Sequence, residues 1–215
     1  MIRTVPLTQF TEMVREKVPR NTPDANIENA VSEAINYFMS RSRAAVDEMY
    51  IDVDCSEIEI SLDMPDCRRL IQIEHVFLDE GCKRARWTPE WEELMHTERG
   101  GMGWWSDDVG GPNETIWVLP RGNRHNRYCV RYSWKLGRDK SCQVPEWLYE
   151  DHRMGIEASA IAWLHNQPID KDAQASFARL MDQVMASDIA YARRRKEAQY
   201  RNRAVKMTTQ HFFGG

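Results

Sequence analysis

Residues 144–168 read VPEWLYEDHRMGIEASAIAWLHNQP, and their period decides how the chain is organised. Pro145 and Glu146 open a helix, where a missing amide donor costs nothing and a carboxylate suits the dipole. Leu148, Ile156, Ile161 and Leu164 fall inward on the helical period, and Pro168 stops the run. Gly155 lies inside the segment and permits close packing against a neighbour. Downstream, Asp170 or Asp172 caps a second long helix in which Phe177, Leu180, Met181, Val184 and Ile189 keep the same period. Its apolar stripe stops near Ala192, just before a basic run.

Helices are also predicted at the other end of the chain. Leu7, Phe10, Met13, Val14 and Val18 recur at helical spacing from Leu7 to about Lys17, and Pro19 ends the run. In the next segment Thr22 caps the open amides and Pro23 takes the first helical position. Ile27, Ala30, Val31, Ala34, Ile35 and Phe38 then form one apolar stripe, read as core.

Between these helical ends the period changes to two. Ile58, Ile60, Leu62 and Met64 alternate with Glu57, Glu59, Ser61 and Asp63, as in an antiparallel sheet with one wet face. LIQIEHVFLDEG (70–81) and TIWVLPRGN (115–123) read as further strands. In RYCVRYSWKLG (127–137), Tyr128, Val130, Tyr132, Trp134 and Leu136 share one face; Cys129, Arg131, Ser133 and Lys135 share the other. The last two strands are expected to pair through the turn residues PRGNRHN. From Lys83 to Pro112 a short helix is predicted at Pro89 to about Thr97, then a long glycine-punctuated loop. Trp104 and Trp105 in it are too large to leave wet without reason, so they fold back on the sheet or contact a partner. The order is helices, sheet, helices. It predicts a single α+β domain over residues 1–200, with terminal helices packed together around a small antiparallel sheet at about 51–140 and a C-terminal extension at 201–215.

Composition excludes some classes. The chain has 215 residues, 42% of them hydrophobic, which is enough apolar surface for a sizeable core. A net charge of -4 argues against a wholesale nucleic-acid coat. No signal peptide or membrane span is expected. The five cysteines are odd in number and widely spaced, and are read as reduced thiols.

Chemistry is hard to assemble from the motifs. There is no CxxC pair, no GxxxxGK[ST] and no GxSxG. His152 and His165 are read as lone histidines on different faces of one helix. DVDCSE and SDDVGG collect carboxylates, yet without a partnering histidine or lysine they read as solvated surface. No catalytic residue, cofactor or metal site is predicted, and the chain is not expected to be an enzyme.

The closing stretch carries seven Lys or Arg between Arg193 and Lys206 against one acid, Glu197. Three readings compete. Arginines near a helix C-terminus suit its dipole and need no function. They can instead neutralise phosphates, as in a DNA-associated assembly factor using a basic helix end. Or the segment is an assembly arm, in which Phe212 and Phe213 insert into a partner and the basic residues meet an acidic rim. The two phenylalanines favour the arm.

Two N-terminal helices, an inserted sheet and the final helical pair together resemble the head-to-tail adaptor (connector) proteins of tailed bacteriophages. The resemblance rests on Pro145, Glu146, Gly155, Ala158, Ala160, Leu164, Pro168 and Phe177, and on YSWKLGRD (132–139) as the last sheet strand. It implies a structural virion protein made in the host bacterial cytoplasm and resident at the head–tail interface. Such proteins form homo-oligomeric rings, commonly of twelve subunits, between the portal protein and tail tube or nozzle proteins. The ring extends a channel through which genomic DNA passes without sequence-specific binding, and gives the tail its docking platform. No membrane is involved. By this resemblance Arg193, Arg194, Arg195, Lys196, Arg201, Arg203, Lys206, Phe212 and Phe213 are candidate contacts to portal or neighbouring subunit. Trp104 and Trp105 are candidate tail-side or neighbour contacts. Glu57, Glu59 and Asp63 read either as an acidic channel wall or, by preference, as ordinary solvent-facing sheet.

Overall fold

The computed structural model describes residues 3–53, 59–78, 83–84, 86–87, 103–105, 115–118, 126–137, 143–166 and 179–198. The fold is mixed α+β, with N- and C-terminal helices in mutual contact and two small sheets between them in sequence. Described residues from 3 to 45 and from 135 to 198 form one compact unit, and those from 46 to 134 form a second.

The helical unit is tied at its start by a two-stranded ladder. β1 (Thr4–Pro6) runs antiparallel to β10 (Gln143–Pro145), with Val5 opposite Val144. The Glu146 amide extends this ladder by donating to the Arg3 carbonyl at 2.9 Å. The strap leads directly into α1 (Thr8–Arg15) on one side and α3 (Glu146–Asn166) on the other. α2 (Asp24–Ser42) packs on both α1 and α3. The expected stripe of α2 is buried at every position, Ile27, Ala30, Val31, Ala34, Ile35 and Phe38, and Met39 joins it. Phe10 of α1 meets Tyr149 of α3 edge-on, with ring centroids 5.1 Å apart.

Three helix expectations change in detail. The cap position of α2 is Pro23, not Thr22, and no side chain caps it. Instead Arg15 joins the end of α1 to the start of α2, donating to the Thr22 carbonyl at 2.6 Å and pairing with Asp24. On α3, Leu148 and Ile156 are buried as expected, but Ile161 and Leu164 are only half-buried. The described helix α4 (residues 179–198) buries Met181, Met185, Ile189 and Ala192, while Leu180 and Val184 face out. Leu180 and Met181 begin two apolar stripes about 100° apart, and only one can face the core.

α2 stops at Arg43, which takes the left-handed conformation (φ 51°, ψ 29°) while its amide donates to Met39 O at 2.8 Å. That cap geometry suits glycine, and a side chain there costs free energy. Arg43→Gly should therefore raise stability by about 0.5–1 kcal/mol, net of the added freedom of the unfolded chain. A urea midpoint that falls in the variant would contradict this.

In the sheet unit, one sheet has the order β2-β9-β4-β5 and the other β3-β8-β7-β6. The strands of the first are β2 (Val46–Val53), β4 (Arg68–Leu78), β5 (Lys83–Arg84) and β9 (Asn126–Leu136, whose end passes into the helical unit). The second comprises β3 (Glu59–Ser61), β6 (Arg86–Trp87), β7 (Gly103–Trp105) and β8 (Thr115–Val118), and its β6–β7 pair is parallel. The expected pairing of β8 with β9 does not form. β8 pairs with β3 and β7, and β9 lies between β2 and β4. The loop expected to follow residue 97 contains a strand, β7, and the helix expected at Pro89 to about Thr97 lies outside the described residues.

Both faces of β9 are buried, the second one including Cys129, Arg131 and Ser133. An inner strand can carry these groups because its neighbours satisfy them. Glu48 lies directly opposite Arg131 in the register, and the arginine Nε donates to its carboxylate at 2.9 Å. The Ser133 hydroxyl donates to Gln72 O at 3.3 Å. Next to this pair, Arg68 bonds Asp47 at 2.6 Å and lies 4.2 Å over the Trp134 ring.

Candidate functional site

The basic helix end and a buried polar group converge where α4 lies against α3 and the end of α2. Successive residues on a helix point about 100° apart, so three consecutive arginines must diverge. Arg193 Nε donates to the carbonyl of Arg41 at 3.0 Å, satisfying an open acceptor in the last turn of α2. Arg194 turns back along its own helix to Ala190 O at 3.3 Å. Arg195 pairs with Asp151 of α3, its guanidinium carbon 5.9 Å from the Trp147 ring centroid. Lys196 is half-buried. A second clamp joins α4 to α2, where Arg41 bonds Asp182 at 3.1 Å. Beside it the Tyr37 hydroxyl is pushed above its ordinary value by burial and by its bond to Asp182.

Arg201, Arg203, Lys206, Phe212 and Phe213 lie outside the described residues, as does Glu57. The backbones of Trp104 and Trp105 are in β7, opposite Val118 and Trp117 of β8. The structure thus gathers Arg193 and Arg195 at one seam of the helical unit, while the strand carrying Trp104 and Trp105 belongs to the sheet unit. Asp63 is exposed, and Glu59 lies in β3.

At the centre of the seam is His152, buried among the rings of Phe38, Trp147 and Tyr191 at centroid distances of 4.7, 5.8 and 5.8 Å. Neither ring nitrogen has a hydrogen-bond partner, and Nδ1 stands 3.6 Å from Asp188 Oδ1 of α4. Gly155, one turn along α3, makes this approach possible, because a Cβ there would run into Asp188 Oδ2. The expected close packing at Gly155 is therefore an accommodation of α4. The sequence reading took His152 as a lone histidine and missed Asp188. A carboxylate at position 188, amid the apolar stripe of α4, was the available signal.

Burial holds the His152 imidazole below its ordinary value of 6.5, and the carboxylates of Asp188 and Asp151 oppose that shift only in part. The folded state then binds fewer protons than the unfolded one. This contribution to stability is complete above 6.5 and is lost as pH falls through the folded-state value. Thermal melts from about pH 7 to about pH 5 should lose more stability in the wild type than in His152→Leu. Parallel curves for the two proteins would contradict the assignment.

Among the described residues no three His, Cys, Asp or Glu side chains converge as metal ligands. No described helix is long and apolar enough to cross a membrane. What the seam offers chemically is rigidity, with the basic residues anchoring a helix end rather than surrounding a reacting group. No model of a known protein family matches the chain, and neither does any curated protein.

Proposed function

We propose that the chain is a structural virion protein that forms a ring between portal and tail, extends the DNA channel and gives the tail its docking platform. The observation that carries this reading is the arrangement of the helical unit. α1 and α2 pack with α3 across a long insertion that folds into a separate sheet unit, and α4 carries its basic run at its end. That order is the one the resemblance to phage adaptor proteins implies. A passive assembly role is also in keeping with a seam whose charged groups are spent on holding helices together.

The arginines support an arm more than a nucleic-acid grip. Arg193 and Arg195 are each held by groups of their own chain, so phosphates would have to compete for them. In this account they fix the direction in which α4 exits, and the segment beyond residue 198 makes the portal contact, with Phe212 and Phe213 as anchors. Deleting Thr208–Gly215 tests this. The truncated protein should keep the far-ultraviolet circular dichroism and melting behaviour of the full chain but lose association with its cognate portal. Undiminished portal binding by the truncated protein would sink the proposal.

A further inference from the structure

Two outward stripes of the helical unit remain once its internal contacts are assigned. On α4, Leu180, Val184, Ser187, Tyr191 and Arg194 follow one another at intervals of four or three, and all are exposed. Such positions fall within about 80° of arc on a helix. Leu180 and Val184 are each 38% exposed and Tyr191 49%. The only charged residues from 180 to 192 are Asp182 and Asp188, and neither falls on this stripe: Asp182 bonds Arg41 and Asp188 stands beside His152. From Leu180 to Tyr191, three turns, this exposed stripe therefore carries no charge, in a chain with 29% charged residues.

α3 carries a matching stripe. Glu150, Met154, Ala158, Ile161 and His165 recur at the same spacing and occupy a similar arc. Met154 is 76% exposed, the most open large apolar side chain among the described residues. The neighbouring charges are occupied within the chain: Asp151 pairs with Arg195, and Arg153 lies 5.7 Å from the Tyr149 ring. Glu150 is left as the outward carboxylate of that stripe. Inside one copy, α3 and α4 meet through His152, Gly155 and Asp188; Tyr191 borders that seam with its ring 5.8 Å from that of His152, and the rest of the residue stays open.

Laid antiparallel, the two stripes correspond position by position. Arg194 falls opposite Glu150, Tyr191 opposite Met154, Ser187 opposite Ala158, Val184 opposite Ile161 and Leu180 opposite His165. The charge pair closes one end, large apolar groups sit beside it, and two small residues let the helix backbones approach at the middle. At 1.5 Å per residue the α4 stripe spans about 21 Å and the α3 stripe about 22.5 Å. We infer that the occupant of the α4 stripe is the α3 stripe of a second copy of this chain. The two stripes are different surfaces, so the contact is heterologous and can repeat from copy to copy until a ring closes. The inference deepens the ring reading and rests on it. One helix pair covers less than the roughly 800 Å² per partner of a standard stable interface. Association in solution is accordingly concentration-dependent, and ring closure strengthens it by engaging both stripes of every copy.

The test is sedimentation velocity of the purified full-length chain from about 1 μM to about 100 μM, a range bracketing micromolar affinity. The wild type should form concentration-dependent oligomers. Val184→Glu should weaken self-association at least about tenfold, by burying a carboxylate against apolar groups. Glu150→Arg and Arg194→Glu should each weaken it, and the double variant E150R/R194E should recover most of the loss. Circular dichroism identifies any variant that fails to fold, and these sites are exposed, so the charge swap remains informative if Val184→Glu does not fold. Oligomers that persist unchanged in every variant would overturn these stripes as the interface and leave the ring reading standing. Oligomers that the charge swap fails to restore would overturn the antiparallel register. A wild type that stays monomeric throughout would overturn the inference, while the ring reading would still be decided by portal binding.

Discussion

Truncating Phe38 to alanine should cost the helical unit about 3–5 kcal/mol of unfolding free energy. Phe38 is fully buried, and its ring lies 4.7 Å from that of His152 and 6.5 Å from that of Trp147, both on α3. Alanine would remove an aromatic wall from the seam that also receives α4. The remaining groups cannot collapse into the space, because His152 is held between Trp147 on its own helix and Tyr191 on α4. The cavity would also admit water to an imidazole whose nitrogens have no partner, so the effect of pH described above should shrink along with stability. Urea titration followed by tryptophan fluorescence reads the loss directly. A cost below about 1 kcal/mol would mean that the α2–α3 seam is not closed as described.

The second large effect belongs to the sheet unit. Glu48→Ala should destabilise it by about 3–5 kcal/mol, since it leaves the Arg131 guanidinium buried without the carboxylate opposite it. The two side chains are only 16% and 10% exposed. The guanidinium also stands 5.2 Å over the Phe77 ring, a contact that does not replace the lost charge. Converting both partners to apolar residues, Glu48→Met with Arg131→Leu, should recover most of the loss, because it removes both buried charges of the pair instead of one. A double variant as unstable as Glu48→Ala would contradict that explanation.

The same pair shows where sequence reading succeeds and where it stops. Alternation in residues 127–137 correctly separates Arg131 and Ser133 from Val130 and Tyr132, because the strand period depends only on local geometry. It cannot show that the outer face is covered as well. That depends on β2 supplying Glu48 and β4 supplying the Gln72 carbonyl, from segments 83 and 61 residues away in sequence. The expected hairpin between β8 and β9 fails for a related reason: turn-forming residues permit a hairpin but do not choose its partner. In α2 a single apolar stripe left one possible inward face, and it was legible in full. In α4 two stripes competed, and the fit of Asp188 over Gly155 goes with burial of Met181 and Met185 over Leu180 and Val184. At the site, the basic helix end was plain from charge alone. Its partners were hidden, because a backbone carbonyl on α2 and a carboxylate on α3 carry no mark of their role.

The central claim is that this chain assembles as a ring on a portal, and electron microscopy of the full-length protein mixed with its cognate portal tests it most directly. The account predicts portal particles extended by a closed ring of this chain, with an open axial channel continuous with that of the portal. Bare portals beside unassociated copies of the chain, at concentrations where both proteins are folded, would contradict it.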